Sequence, residues 1–269
     1  MNRRLLGACF VLAMLAGVAQ AAPPTQIAPN KIDPAVTAAV VRGENPVDTI
    51  VTGLPHASVS EASFATRAQA MASLGARSRS FFDAIRDLAA DTGSVVRETW
   101  AVAPAVHLMA TPAAIQRLSA MKEVRWVERD AADAVKVSPI EADGAGSQNT
   151  GGRRMIQAED IWALGYRGEG IRLAVIDTGI YPGHEAFKNA NGSTRIVAWR
   201  DWVSGQPTPY DNNGHGTHVA GTAAGSRLYN DPTFGFFSEE GVAPRAQILV
   251  SKFLGAGGGG SWANGINSL

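Results

Sequence analysis

One cysteine occurs in 269 residues, Cys9, and it lies inside an apolar leader at the amino terminus. The chain after the leader therefore has no disulfide and no thiol for catalysis or metal ligation. Its stability must come from packing, with bound ions as the one other available source. Excess charge is also missing, because 24 Lys plus Arg balance 24 Asp plus Glu. That balance removes the electrostatic footprint of a nucleic-acid binder or of a protein held on an anionic membrane. No apolar run after the leader is long enough to span a bilayer.

What is present begins with that leader, residues 1–21. Arg3 and Arg4 form a basic start, Leu5 to Val18 is apolar, and Ala19-Gln20-Ala21 is a small-x-small cleavage site. This is the pattern of a secretory signal, and it predicts a secreted product, extracellular or periplasmic. The paired arginines lack the rest of a twin-arginine signal. Hydrophobic residues make up 45% of the chain and charged ones 18%, which suits one large or two modest domains. The 29 glycines point to many turns and close backbone approaches.

Residues 22–44 are rich in Pro and Ala and read as a flexible lead-in. Residues 45–136 read as a compact domain with the order β-α-β-β-α-β, an α+β ferredoxin-like arrangement. "VDTIVTGL", "SVVRETWAV", "AVHLMA" and "EVRWVERDA" are its strands. Phe81, Phe82, Ile85, Leu88 and Ala89 fall at helical spacing before Gly93, a natural helix stop. Thr111 followed by Pro112 marks the start of a second helix. Residues 137–154 are polar and glycine-rich, an exposed linker suited to proteolytic nicking. Residues 155–269 alternate apolar strands with helices, which predicts an α/β domain on a parallel sheet. "IRLAVIDTG" reads as a strand buried on both faces. "GAGGGG", residues 255–260, reads by composition alone as a flexible linker.

Asp177 ends the first of these strands, where open α/β sheets place catalytic groups. Standing alone, Asp-Thr-Gly is equally well a turn aspartate before glycine. His215, in "DNNGHGTHVAGT", opens a helix full of small residues and is poised as a general base. His215 and His218 are not a zinc pair, because the His-Glu-x-x-His pattern is absent. A pepsin-like pair of carboxylates would need the second Asp-Thr-Gly, at Asp91. That triplet ends an amphipathic helix with no buried strand before it, so capping explains it better.

Three ordered motifs together, Asp177 to Ile180, His215 to Gly221 and "GVAPRAQILVSKFLG" at 241–255, resemble the subtilisin-like serine proteases. The resemblance implies a subtilisin-like parallel-sheet domain preceded by an inhibitory propeptide, residues 45–136. It implies that Asp177 orients His215 and that His215 takes the proton of a serine nucleophile. It also implies that Gly258, Gly259 and Gly260 form a substrate-pairing edge strand rather than a linker. The implied partners are peptide or protein substrates and the chain's own propeptide in cis. A monomer is expected, with no nucleic acid or membrane partner.

The serine itself, which the family carries in Gly-Thr-Ser downstream of the histidine, is not among these residues. The family's oxyanion asparagine is not matched either, since Asn264 and Asn267 fall too early. Ser261 in "GGSWA" has the wrong order and the wrong local structure for a nucleophile. The chain is therefore expected to be the amino-terminal part of a secreted endopeptidase precursor, inactive by itself. Its half-domain is expected to be marginally stable, with an unpaired sheet edge. No cofactor is expected for the chemistry. Structural calcium stays unassigned, because Ala186 stands where many relatives have a calcium-binding acid, and Asp231, Glu239 and Glu240 read as solvated loop charges. The rival reading is a non-catalytic protein, a pseudoprotease or a propeptide-type protease inhibitor.

Overall fold

A computed structural model describes residues 31–55, 66–137, 152–153, 155–226, 228–231, 235–238 and 240–269. The expected signal sequence and most of the expected linker lie outside these residues. The chain divides into two compact units, with the boundary in sequence between Ala134 and Val135.

The first unit opens with helix α1 (Pro34–Val41), followed by β1 (Val47–Gly53), α2 (Arg67–Thr92), β2 (Val95–Trp100), β3 (Ala105–Ala110), α3 (Pro112–Leu118) and β4 (Val124–Arg129). From β1 onward this is the β-α-β-β-α-β order that the pattern predicts. The four strands form an antiparallel sheet in the order β2-β3-β1-β4. One face carries Val47, Val51, Val106, Leu108 and Val127, packed against Phe81, Phe82, Ile85 and Leu88 of α2 and Leu118 of α3. The helix ends follow their capping residues. The Thr66 side chain accepts from Gln69 N, and Gly93 stops α2 at φ 68°, in the left-handed region. Thr111 caps α3 through Ala114 N, with Pro112 at its first position. The flexible lead-in expected over 22–44 needs correction at its end. Asp33 accepts from Ala35 N to start α1, whose Val36 and Ala39 are fully buried against the sheet core. Pro and Ala there begin and fill a helix.

The second unit contains β5 (Val135–Lys136), α4 (Ala158–Ala163), β6 (Arg172–Asp177), a 3-10 turn (Glu185–Phe187), β7 (Ile196–Asp201), α5 (His215–Ala224), β8 (Leu228–Asp231), β9 (Gly235–Ser238), β10 (Gln247–Lys252), β11 (Gly259–Gly260) and α6 (Trp262–Asn267). Three strands form a parallel sheet in the order β6-β10-β7. This is mixed α/β architecture of the expected class. Helix α5 lies on it through Ala220 and Ala224, over Val175, Ile248 and Val250. The expectation that β6 is buried on both faces fails. Val175 is buried, whereas Ala174 is exposed. A helix covers one face of this strand, so only alternate residues are taken from water. The segment 228–238, read as a charged loop, contains the antiparallel pair β8 and β9. The glycine run ends in β11, which pairs antiparallel with β5. Among the described residues no helix is long and apolar enough to cross a membrane.

Candidate active site

The site is built where the carboxyl end of β6 meets the first turn of α5. Asp177 is the last residue of β6, and its backbone oxygen accepts from Phe253 N at 3.0 Å and Leu254 N at 3.3 Å. The chain leaving β10 thereby fixes the aspartate backbone. Its carboxylate accepts Thr178 N at 2.6 Å through Oδ1. His215 Nδ1 lies 2.8 Å from Oδ1 and 2.9 Å from Oδ2. An ionised carboxylate only accepts, so Nδ1 carries the proton and donates it. Nε2 is then left with its lone pair, and the His215 side chain keeps 24% of its exposure while that of Asp177 keeps 9%. The arrangement is a buried acid orienting a histidine base whose second nitrogen is free to take a proton.

Two glycines permit this approach. Gly179 has φ 121°, and a β-carbon there would strike the Tyr210 carbonyl oxygen. A β-carbon on Gly216 would strike the Gly179 carbonyl oxygen and come within 3.1 Å of Asp177 Cβ. The small residues after His215 therefore let the helix start press against the Asp-Thr-Gly turn.

Asp211, which the sequence reading passed over, organises the same turn. Its Oδ1 accepts from Thr178 Oγ1, Asn213 N and Gly214 N at 3.0, 3.1 and 2.9 Å. Its Oδ2 accepts from Thr217 N at 2.9 Å and from Thr217 Oγ1 at 2.6 Å. Burial pushes the Asp211 carboxyl up, but the Thr217 hydroxyl and the backbone N–H groups outweigh it and hold it below the usual range. An aspartate shortly before a helix start was the available signal. Asp201 does the same for the loop after β7, accepting from Val203 N, Ser204 N, Gln206 N, Ser204 Oγ and Tyr210 OH. Burial opposes ionisation there too, yet these donors bring Asp201 down to about 2.

Lys252, also passed over, ends β10 and is fully buried. Its Nζ donates to Thr178 O at 2.5 Å, Leu254 O at 2.7 Å and Asn212 Oδ1 at 3.0 Å, and sits 4.9 Å from the Tyr210 ring centre. Burial pulls this amine down, and the charges of Asp211, Asp201 and Asp177 partly restore it. A lysine at the end of a strand with an apolar centre was its only signal in the sequence.

Gly258, Gly259 and Gly260 lie on the edge that holds β5. Gly259 is opposite Lys136 and Gly260 opposite Val135. Val137 N donates to Gly258 O at 2.9 Å. Gly258 has φ 75°, and a β-carbon there would lie 2.5 Å from the Val137 carbonyl oxygen. The glycine run is thus an extended edge occupied by a strand of this chain.

The other residues weighed in the sequence fall elsewhere. His218 is exposed on α5. Ser261 caps α6, its Oγ accepting from Asn264 N at 3.1 Å. Asp91 pairs with Arg117 at 3.2 Å. Ala186 has no side-chain donor to offer a cation, and its carbonyl accepts Arg195 Nη2 at 2.6 Å and Ser226 Oγ at 3.0 Å. Glu240, read as a solvated charge, pairs with Arg167 at 3.0 Å. The side chains of Asp231 and Glu239 lie outside the described residues.

Comparison with known proteins bears on the same region. Residues 168–269 match the profile of the subtilase family. The minor extracellular protease Vpr of Bacillus subtilis is 31% identical over 230 residues, 81% of this chain and 27% of that protein. Subtilisin DY of Bacillus licheniformis is 37% identical over 115 residues, 43% of this chain and 37% of that protein. Thermitase of Thermoactinomyces vulgaris is 36% identical over 118 residues, covering 43% of this chain and 38% of that protein. The chain spans between 27% and 38% of the length of these three relatives.

Proposed function

We propose, from a chain whose residues 168–269 are a segment of the subtilase family, that it is the amino-terminal part of a secreted serine endopeptidase precursor. The observation that carries this reading is the Asp177–His215 pair, with Nδ1 held at 2.8 Å by a buried carboxylate. In the reaction, His215 Nε2 takes the proton of a serine hydroxyl as that oxygen attacks a peptide carbonyl. The imidazolium then gives the proton to the leaving amine, and Asp177 stabilises the cation without becoming protonated. The serine would come from sequence outside these 269 residues, which contain no Gly-Thr-Ser. No cofactor takes part in these steps.

Residues 45–136 act in this reading as the inhibitory propeptide, with maturation by cleavage within 137–154. The pairing of β5 with β11 supports it, because an extended segment already lies on the edge that a substrate backbone would use. The substrate is a peptide or protein, bound by the Gly258–Gly260 edge. The test is to express the coding region through to a Gly-Thr-Ser segment and assay peptide hydrolysis with and without His215→Ala.

A second reading is that the 269-residue chain acts as an inhibitor of a complete subtilase. The chain added to a complete subtilase should then slow peptide hydrolysis stoichiometrically. Unchanged rates at excess chain remove that reading and leave the first one untouched.

A further inference from the structure

The sheet of the first unit has a second face, opposite α2 and α3, that carries an unusual set of side chains. Asp48 on β1, His107 on β3 and Asp130 directly after β4 meet there, and their ligand atoms all lie within 4.8 Å of one another. His107 Nε2 is 2.6 Å from Asp48 Oδ1 and 3.9 Å from Asp130 Oδ2. Asp130 N donates to Asp48 O at 3.0 Å, so the two aspartates face each other across an antiparallel pair. Like charges directly opposite on a sheet destabilise it. Glu98 on β2 stands opposite His107 in the register and adds a third carboxylate to the cluster. The Asp130 side chain is only 5% exposed, so solvent does little to screen this charge.

We propose that Asp48, His107 and Asp130 form a binding site for a divalent metal ion of the zinc class. Two donors come from neighbouring strands and the third from the residue that follows β4, tied to β1 by its backbone N–H, so the sheet fixes their spacing before the ion arrives. One nitrogen and two carboxylate oxygens suit zinc or a similar first-row ion better than calcium or magnesium, which prefer all-oxygen shells. On binding, the ion takes the place of the proton shared between Nε2 and Asp48, and that proton leaves to solvent. Trp100 lies nearly parallel to the imidazole, 6.3 Å between ring centres with the planes 10° apart. Water fills the remaining coordination positions on the Asp48 side, where that side chain is 42% exposed.

The test is zinc chloride titrated into the whole 269-residue chain, followed by calorimetry and by metal analysis after dialysis. The chain has four other histidines, so the decisive comparison is between variants. His215→Ala should keep one tight zinc per chain, and His107→Gln should lose it, with affinity falling at least tenfold. Calcium chloride should not compete. Equal zinc binding by H107Q and the parent chain, or calcium binding as tightly as zinc, would overturn the assignment. Should H107Q fail to fold by circular dichroism, Asp48→Asn at the more exposed ligand carries the same comparison. Cobalt(II) spectra of the parent chain give a further readout. Ligand-field bands in the visible that zinc abolishes are expected, and their absence refutes the site.

Discussion

Replacing Lys252 by Met keeps the length of a buried side chain and deletes its charge. Three acceptors, Thr178 O, Leu254 O and Asn212 Oδ1, would lose the amine that now lies within 3.0 Å of each. A buried acceptor left without a partner costs about 1–3 kcal/mol. The fixed cation facing Asp211, Asp201 and Asp177 would go with it. Removing one member of a buried charge network costs about 3–5 kcal/mol, and some of the gain from burying an apolar thioether offsets this. We expect a net loss of about 3 kcal/mol in the second unit, from denaturant unfolding followed by tryptophan fluorescence. Trp199 within β7 and Trp202 just after it report on this region, Trp202 through its bond to Ser251 Oγ at 3.0 Å. Lys252→Arg should lose part of the stability, since a guanidinium keeps the charge but is too wide for a fully buried site. A loss below about 1 kcal/mol in K252M would refute the view that this lysine holds the Asp177 turn together.

Three further outcomes follow from the same geometry. Asp201 is depressed from 3.8 to about 2, so its contribution is full above about pH 4 and is lost as pH falls through about 2. That difference is worth about 2 kcal/mol, and Asp201→Asn should flatten the acid limb of a stability–pH curve measured by urea unfolding. Gly258→Val should free β5 from β11, because the new side chain meets the Val137 carbonyl and must adopt φ 75°. Hydrogen exchange at the Val137 amide, which donates to Gly258 O in the parent chain, should speed up by at least tenfold. Gly216→Ala should cost about 1–3 kcal/mol by thermal unfolding, since its methyl collides with the Gly179 carbonyl and has only backbone to displace.

Much of this was legible from residue types alone, and the misses share a cause. Asp177 and His215 were readable because each sits in a short motif whose glycines have one steric purpose. The elements of the first unit were readable because Gly93 and Thr111 are capping residues and the α2 core positions keep helical spacing, although α2 begins at Arg67, well before Phe81, where the apolar spacing marks it. The glycine run misled composition, since β11 is ordered by a partner strand 123 residues away, Gly259 on Lys136. Sequence windows do not see such pairing. Lys252 and Asp211 were missed for the same reason, because their importance lies in which distant carbonyls and N–H groups they meet. The burial of β6 was overestimated because a run of apolar residues signals strand without saying how many faces are covered. The Asp48–His107–Asp130 cluster assembles from β1, β3 and the residue after β4, spread over 83 positions, and has no local motif.

The most direct measurement is the peptidase rate of the protein expressed from its coding region through to a Gly-Thr-Ser segment, compared with its His215→Ala and Asp177→Asn variants. The account predicts hydrolysis blocked by a serine-reactive phosphonylating agent. It predicts losses of about 10⁶-fold in kcat for His215→Ala and about 10⁴-fold for Asp177→Asn. Hydrolysis that survives His215→Ala, or a well-folded extended protein that hydrolyses no peptide, would contradict it.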